Sequence, residues 1–190
     1  MSSSTEVVAS AGAGVAPNEM NYSGSSTTNG SGSMFINLTS FLTSRDNLRQ
    51  QVTDLLTLRK SLGGIDMNGA AANGDLDGDD VYFFGHSLGT INGLPFVAVA
   101  NDSSTTTDDI VAANMQTPGS GITRLLENSP AFSTPILGGL AALGLTQDTS
   151  SFQAYMNILQ GALDTVDPAN FAADLGASKL NTPLLITIVV

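Results

Sequence analysis

The five residues GHSLG at positions 85–89 directly follow the hydrophobic run VYFF at 81–84. A Gly-x-Ser-x-Gly pattern between a strand and a helix is typical of the sharp turn that presents the nucleophile of a serine hydrolase. Such a serine attacks an ester carbonyl when a histidine takes its proton and an acidic residue orients that histidine. The pattern therefore predicts acyl transfer through Ser87, by way of an acyl-serine intermediate.

Each position of this turn has a physical role. Gly85 and Gly89 leave room for a tight reversal, in which larger side chains would collide with the adjoining backbone. Ser87 is expected at the carboxyl edge of a sheet, above a helix N-terminus whose partial positive charge favours a developing anion. The backbone N–H of Leu88 would donate to that oxyanion. The pattern alone leaves open an ordinary strand-to-helix turn with a buried serine.

The base and the acid of a catalytic triad are not evident in the sequence. His86 is the single histidine among the 190 residues, and in a tight turn its side chain should project away from that of Ser87. We therefore interpret His86 as a structural residue of the turn. Four carboxylates are candidates for the acid, although none has a histidine to orient: Asp102, Asp164, Asp167 and Asp174.

Composition narrows the classes of partner. The 17 acidic and six basic residues give a net charge of −11, which disfavours binding to nucleic acid and to anionic lipid. A neutral or apolar substrate fits better, and no cofactor is predicted. Cysteine is absent, so a thiolate metal site is excluded. The N-terminal residues lack the pattern of a secretory leader, which leaves localisation open, and no apolar run reaches membrane-spanning length.

One acidic loop resembles part of a calcium-binding loop. Its glycine occupies the fourth place instead of the sixth, and its twelfth place is His86 instead of an acid that binds calcium through both oxygens. The sequence therefore favours a solvated turn and predicts no metal site. The loop contains four aspartates: Asp75, Asp77, Asp79 and Asp80.

Three helices and two strands are predicted to surround the turn. The first helix follows a cap at Thr43 or Ser44, the second spans 88–101 with a kink at Pro95, and the third follows a cap at Ser150 or Ser151. The apolar face of the first consists of Leu48, Val52, Leu55, Leu56, Arg59 and Leu62, and that of the third of Phe152, Tyr155, Met156, Leu159, Leu163 and Val166. The predicted strands are 81–84 and 183–190, both apolar enough for a parallel sheet.

These elements suggest four segments. Residues 1–33 are rich in Ser and Gly and are predicted to be a flexible tail, and 34–109 form a hydrolase core with the serine turn. Residues 110–176 form a helical cap or lid, and 177–190 return a strand to the core. Within the cap, 110–149 are punctuated by Gly and Pro and predict short helices, which serve either as a lid or as ordinary core helices.

Three stretches resemble successive blocks of a known family: INLTSFLTSRDNLRQQVTDLLTLRKSL, DVYFFGHSLGTINGLPFVAVAN and LQGALDTVDPANFAADL. The chain is similar here to the extracellular lipases and lysophospholipases of Gram-negative bacteria, the Pla-1/cef or virulence-factor lipase type. The most diagnostic pieces are the RDN and RQ residues at 45–50 together with GHSLG. The resemblance implies an α/β-hydrolase fold, hydrolysis of lipid carboxylic esters through Ser87, and an extracellular or outer-surface location.

The resemblance also implies that parts of the site lie outside these residues. In α/β-hydrolases the order is nucleophile, acid, histidine, and PLLITIVV looks like the strand before the acid, so we expect the chain to be an internal part of a lipase. The upstream oxyanion loop, commonly containing His-Gly, is expected earlier. Two alternatives stay open: a non-catalytic lipase fragment or pseudoenzyme that binds lipid or self-associates through exposed apolar faces, and an interaction module unrelated to hydrolases.

Overall fold

The computed structural model of the protein describes residues 36–69, 74–102, 107–176 and 182–188. Helices and strands alternate, so the fold class is α/β, as predicted. Two 3-10 turns, Leu62–Gly64 and Pro168–Asn170, lie after the first and the fifth helix. The predicted tail at 1–33 lies outside the described residues. In chain order the elements are α1 Phe41–Ser61, β1 Tyr82–His86, α2 Leu88–Asn101, β2 Ala112–Gln116, α3 Ile122–Asn128, α4 Ser133–Ala142, α5 Ser150–Leu163, α6 Ala172–Gly176 and β3 Leu184–Thr187.

The sheet is small and entirely parallel. Its strand order is β1-β2-β3, and in its register Phe84 pairs with Asn114, which pairs in turn with Leu185. The two predicted strands are therefore the edges, and the central strand is one that the sequence does not predict. β2 reads Ala-Ala-Asn-Met-Gln and contains no β-branched or aromatic residue, so its intrinsic strand propensity is low. The hydrogen-bond ladders on both sides keep it extended.

Helix α2 covers one face of this sheet. The alternation of each strand directs Phe83, Ala113 and Met115 toward α2, where they form a core with Val97 and other apolar residues. α2 continues from Leu88 to Asn101 through the buried residue Pro95. Close packing of α2 on β1 requires Gly93, because a Cβ there would lie 2.3 Å from Cε1 of Phe83. The serine turn therefore connects a strand and a helix that pack tightly on each other.

The opposite face of the sheet is open. Tyr82, Phe84 and Leu185 alternate onto it and are 66%, 60% and 59% exposed. No helix among the described residues lies on this face, since α2 contacts the sheet from the other side. Parallel sheets normally have both faces covered. This surface, the open sheet face, is the largest departure from an ordinary α/β layer arrangement.

Helix α1 packs behind α2 and begins one turn earlier than predicted. Its N-cap is Ser40, whose hydroxyl accepts a hydrogen bond from the Thr43 amide at 3.4 Å. The prediction of a cap at Thr43 or Ser44 is wrong because Phe41 adds a further contact, a ring packed edge-on against Tyr155 at 5.0 Å. The predicted apolar face is confirmed: Leu48 is buried, and Val52, Leu55 and Leu56 pack against the core.

Helices α3, α4 and α5 form a second and a third core cluster beside α1. The apolar stripe predicted for α5 is confirmed, because Phe152, Met156, Leu159 and Leu163 are buried. The cap of α5 is one residue earlier than predicted, since the Thr149 hydroxyl accepts from the Phe152 amide at 3.3 Å. Among the described residues, no helix combines the length and apolar content needed to cross a membrane.

Candidate functional site

Ser87 is the single residue between β1 and α2. Its backbone has φ 51° and ψ −117°, a region that residues with a side chain rarely occupy and that costs about 1–3 kcal/mol. β1 ends at His86, and α2 begins at Leu88, so the chain reverses within one residue. Ser87 therefore occupies a strained turn at the carboxyl edge of the sheet, and its side chain is half-buried.

The backbone of Ser87 is held from both sides. Its N–H donates to the carbonyl of Gln116 at 3.0 Å and to Oγ1 of Thr117 at 3.2 Å. Its carbonyl accepts from the Thr90 amide at 2.8 Å and from the Thr90 hydroxyl at 2.6 Å. The amide of Ser87 is therefore committed to β2 and is not a free donor for a ligand.

The amide of Leu88 is the free donor next to the serine. As the first residue of α2, Leu88 has no carbonyl four residues back within its helix to accept from its N–H. This amide donates to no acceptor among the residues that the structure describes. It is therefore available to a negative charge that develops beside Ser87, in the field of the helix N-terminus.

Gly85 and Gly89 lie where β1 and α2 approach each other. Gly85 is buried, and a Cβ there would be 2.9 Å from the carbonyl oxygen of Gly89 and 3.0 Å from Cε1 of Phe83. The first of these distances is shorter than the contacts that real Cβ atoms make, so a side chain at this position would force the backbone to shift. The small size of Gly85 is therefore required by the turn, and Gly89 contributes the carbonyl that approaches it.

His86 makes no hydrogen bond to the serine side chain in the described part of the chain. It is the last residue of β1 and is exposed, and the alternation of the strand places it on the same side as Tyr82 and Phe84. Its side chain makes no hydrogen bond to the described residues. The structure therefore brings no imidazole to Ser87 Oγ, and the role of His86 as a structural residue of the turn stays a prediction.

No hydrogen bond among the described residues joins three of the four candidate acids, Asp102, Asp164 and Asp174, to Ser87. Asp102 follows the C-terminal end of α2, which is roughly 20 Å from Ser87 for a helix of this length. Asp164 follows α5 and accepts a hydrogen bond from Gln160 at 2.9 Å, and Asp174 is exposed in α6. No histidine side chain adjoins any of them in the described part of the chain.

The fourth acid, Asp167, holds the start of α3. It is only 1% exposed. One of its oxygens accepts from the amides of Gly121 and Ala169 at 3.1 and 3.0 Å, and the other accepts from the Ile122 amide and Gln160 Nε2, both at 2.9 Å. Burial acts to raise the pKa of Asp167, but these hydrogen bonds outweigh it and hold the pKa below its ordinary value. With both oxygens engaged, Asp167 is a structural residue.

The acidic loop before β1 binds its own backbone. Asp75 accepts from the amides of Met67 and Asn68 at 2.6 and 3.1 Å, and Asp77 accepts from the Asp79 amide at 2.8 Å. Within the described residues, which leave out 70–73, no three carboxylate or imidazole groups converge on a point that could hold a metal ion. The carboxylates of Asp75 and Asp77 therefore accept the hydrogen bonds of local turns.

Thr117 is the site residue that sequence reasoning misses. It follows β2 directly, has φ 50°, and donates its hydroxyl to the Gln116 carbonyl at 2.8 Å while it accepts from the Ser87 amide. Threonine is β-branched and disfavours positive φ, so the residue type does not predict this conformation. The role of Thr117 could have been predicted only from the position of β2, and the sequence does not predict that strand either.

Comparisons with protein-family models, with curated proteins and with solved structures gave no match. The assignment to an α/β fold with a small, three-stranded parallel sheet therefore comes from the structure of this chain alone. The resemblance to bacterial lipases stays a prediction.

Proposed function

We propose that the protein is a serine-dependent hydrolase of carboxylic esters, with Ser87 as its nucleophile. The observation that carries this proposal is the backbone of Ser87, with φ 51° and ψ −117°, directly between a strand and a helix. A residue with a side chain keeps such a conformation only when its surroundings enforce it, and strain of this kind concentrates at functional sites. The narrower type, lipase, esterase or lysophospholipase, follows from the sequence resemblance.

The proposed reaction begins with attack of Ser87 Oγ on the ester carbonyl carbon. The electron pair of the carbonyl moves to its oxygen, and the Leu88 amide donates to this oxyanion. A general base takes the serine proton and passes it to the alcohol, which leaves as the intermediate collapses to an acyl-Ser87 ester. Water then adds to the acyl group by the same route, which releases the carboxylic acid and restores the serine.

The base and its acid have to come from elsewhere. His86 is the single histidine of the sequence, and its side chain makes no hydrogen bond to Ser87 or to any other described residue. In the proposal, a histidine and an acid from polypeptide other than these 190 residues complete the triad. Loss of the histidine from a triad lowers turnover by about 10⁶ in the subtilisin series. We therefore expect Ser87 of this chain alone to react slowly.

A lipid or short-chain ester fits the surroundings of Ser87 best. The net charge of −11 repels anionic substrates, whereas it neither attracts nor repels a neutral ester. Leu88, next to the nucleophile, is 40% exposed and offers an apolar contact at the turn. The described residues indicate no preference for a particular acyl length or head group of the substrate.

The test is covalent labelling of the chain with a fluorophosphonate, followed by identification of the modified peptide. We expect slow modification at Ser87, none in Ser87→Ala, and acceleration by added imidazole, which can act as the missing base in solution. Ser61→Ala is the matched control, because Ser61 is exposed at the end of α1 and its hydroxyl bonds, among the described residues, to the Thr57 carbonyl alone. Hydrolysis of nitrophenyl esters that survives Ser87→Ala would rule out Ser87 chemistry.

A second candidate function is favoured by the open sheet face. An apolar groove of about 480 Å³ lies on it, between the side chains of Tyr82, Phe84 and Leu185. A non-catalytic lipid-binding or self-associating module would use this groove and not Ser87. Binding of neutral phosphatidylcholine vesicles that persists in Ser87→Ala and is lost in Tyr82→Asp, with no serine labelling of the wild-type chain, would favour this candidate.

A further inference from the structure

Two strained residues meet at the carboxyl edge of the sheet. Among the described residues with a side chain, positive φ occurs at Ser87, Thr117 and Asp148. Ser87 and Thr117 follow the paired strands β1 and β2, and a hydrogen bond of 3.2 Å joins the Ser87 amide to Thr117 Oγ1. Positive φ is uncommon in any residue with a side chain and rarer still in a β-branched residue such as threonine. Two strained residues in direct contact therefore indicate one structural arrangement.

The hydroxyl of Thr117 both donates and accepts a hydrogen bond. Its proton goes to the Gln116 carbonyl at 2.8 Å, which leaves a lone pair to accept from the Ser87 amide. The positive φ curls the chain back after β2, so that the hydroxyl reaches the turn. The Thr117 amide donates to the Thr187 carbonyl at 2.8 Å, which anchors this curl to β3. The three strand ends are thereby linked, with Thr117 in the middle.

We propose that Thr117 is a positioning residue for Ser87. Its hydroxyl is the second acceptor of the Ser87 amide, beside the Gln116 carbonyl at 3.0 Å. In the proposal, this second hydrogen bond fixes the direction of Ser87 Oγ and the orientation of the Leu88 amide that follows. Thr117 touches no reacting atom in this proposal. The consequence for reactivity rests on the proposed function of Ser87, whereas the effect on the turn does not.

The first measurement follows the turn without any chemistry at Ser87. In the ¹⁵N-labelled full chain, hydrogen exchange of the Ser87 amide should accelerate about three- to tenfold in Thr117→Val, because one of its two hydrogen bonds is lost while the bond to the Gln116 carbonyl remains. Thr117→Ser keeps the hydroxyl and should exchange at the wild-type rate. Thr117→Gly removes the strain together with the hydroxyl. It should therefore exchange as fast as the valine variant while its Tm is equal to or higher than that of the wild type.

Thr123→Val is the matched control. The Thr123 hydroxyl is buried and bonds to Gln160 at 2.9 Å, in α3 and away from the turn. Its loss should lower the Tm without a change in exchange at Ser87. If Thr117→Val fails to fold, Thr117→Gly decides, since glycine adopts positive φ without strain.

The second measurement is the rate of phosphonylation at Ser87 in the presence of imidazole. We expect a decrease of about tenfold in the valine and glycine variants and recovery in the serine variant. Unchanged exchange at Ser87 in the valine and glycine variants, or failure of serine to restore it, would overturn the proposal. Faster exchange with no labelling of wild-type Ser87 would support the positioning role and reject the hydrolase function.

Discussion

The strained backbone of Ser87 depends on the small size of Gly85. A Cβ at Gly85 would lie 2.9 Å from the Gly89 carbonyl oxygen, so Gly85→Ala has to push β1 away from the start of α2. We expect the free energy of unfolding to fall by about 1–3 kcal/mol and labelling at Ser87 to slow further. Urea denaturation and the fluorophosphonate assay measure the two effects.

Gly161→Ala is the control for this change. Gly161 is exposed in α5, and a Cβ there meets nothing within 4 Å. Alanine should stabilise that helix by about 0.5–1 kcal/mol, since glycine is a poor helix former. A stable Gly85→Ala variant with unchanged labelling would show that the close approach of β1 and α2 does not hold the serine.

Asp167 makes the stability of the protein depend on pH. Its pKa is below the ordinary value in the folded state, so the folded state favours the ionised carboxylate. The resulting stabilisation is fully present above the unfolded pKa, about 4, and is lost as pH falls through the folded pKa. Asp167→Asn should lower stability at pH 7, where the amide group cannot accept four hydrogen bonds, and the difference from the wild type should shrink toward pH 2.

Thermal unfolding between pH 7 and pH 2 measures this difference. Asp174→Asn is the control, because Asp174 is exposed in α6 and makes no hydrogen bond to the described residues. Its unfolding curve should follow that of the wild type at every pH. If the difference in Tm between Asp167→Asn and the wild type stayed constant down to pH 2, the folded state would not favour the ionised form of the Asp167 carboxylate.

At the scale of elements, the long amphipathic helices were predictable and the central strand was not. The faces of α1 and α5 repeat at three- and four-residue spacing, which only a helix can bury on one side. β2 has no such signal, since its alanines and amides suit any conformation, and it is a strand because β1 and β3 lie on either side of it. The pattern around Ser87 could therefore be read from the sequence, whereas Thr117, which depends on β2, could not.

Arg59 links α1 to the loop before β2. It is buried, and its Nη2 donates to the carbonyls of Thr107 and Asp109, both at 3.0 Å. Arg59→Met keeps the apolar stem but leaves these carbonyls without a donor, so we expect the free energy of unfolding to fall by about 2 kcal/mol. The next residue provides the control, because Lys60 is exposed and its Nζ lies 4.0 Å from Asp108. Lys60→Met should change stability by less than about 0.5 kcal/mol.

Chemical denaturation of the two methionine variants measures both values. Hydrogen exchange at the Ile110 amide adds a local readout, since this amide donates to Asn101 at 2.8 Å directly after the loop. Exchange there should accelerate in Arg59→Met and not in Lys60→Met. Equal effects of the two substitutions would mean that the buried guanidinium adds nothing to the attachment of the loop.

At the scale of the whole molecule, the distribution of charge and apolar surface is uneven. The chain carries a net charge of −11, yet the three strands place no carboxylate on the open sheet face, which combines exposed apolar side chains with His86, Asn114 and Gln116. Two copies that met through this face would remove its aromatic residues from water, while their remaining surfaces would repel each other. Association between copies should therefore be weak at low ionic strength and stronger when salt screens the repulsion.

Phe84→Ser tests this balance. Phe84 is 60% exposed on this face, in the middle of β1, so its replacement should weaken the association and abolish its increase with salt. Ile158→Ser is the control, because Ile158 is 61% exposed on α5, outside the face. Sedimentation at several protein and salt concentrations distinguishes the two. If both variants associate like the wild type, or if salt weakens the association, contacts between copies do not use the open sheet face.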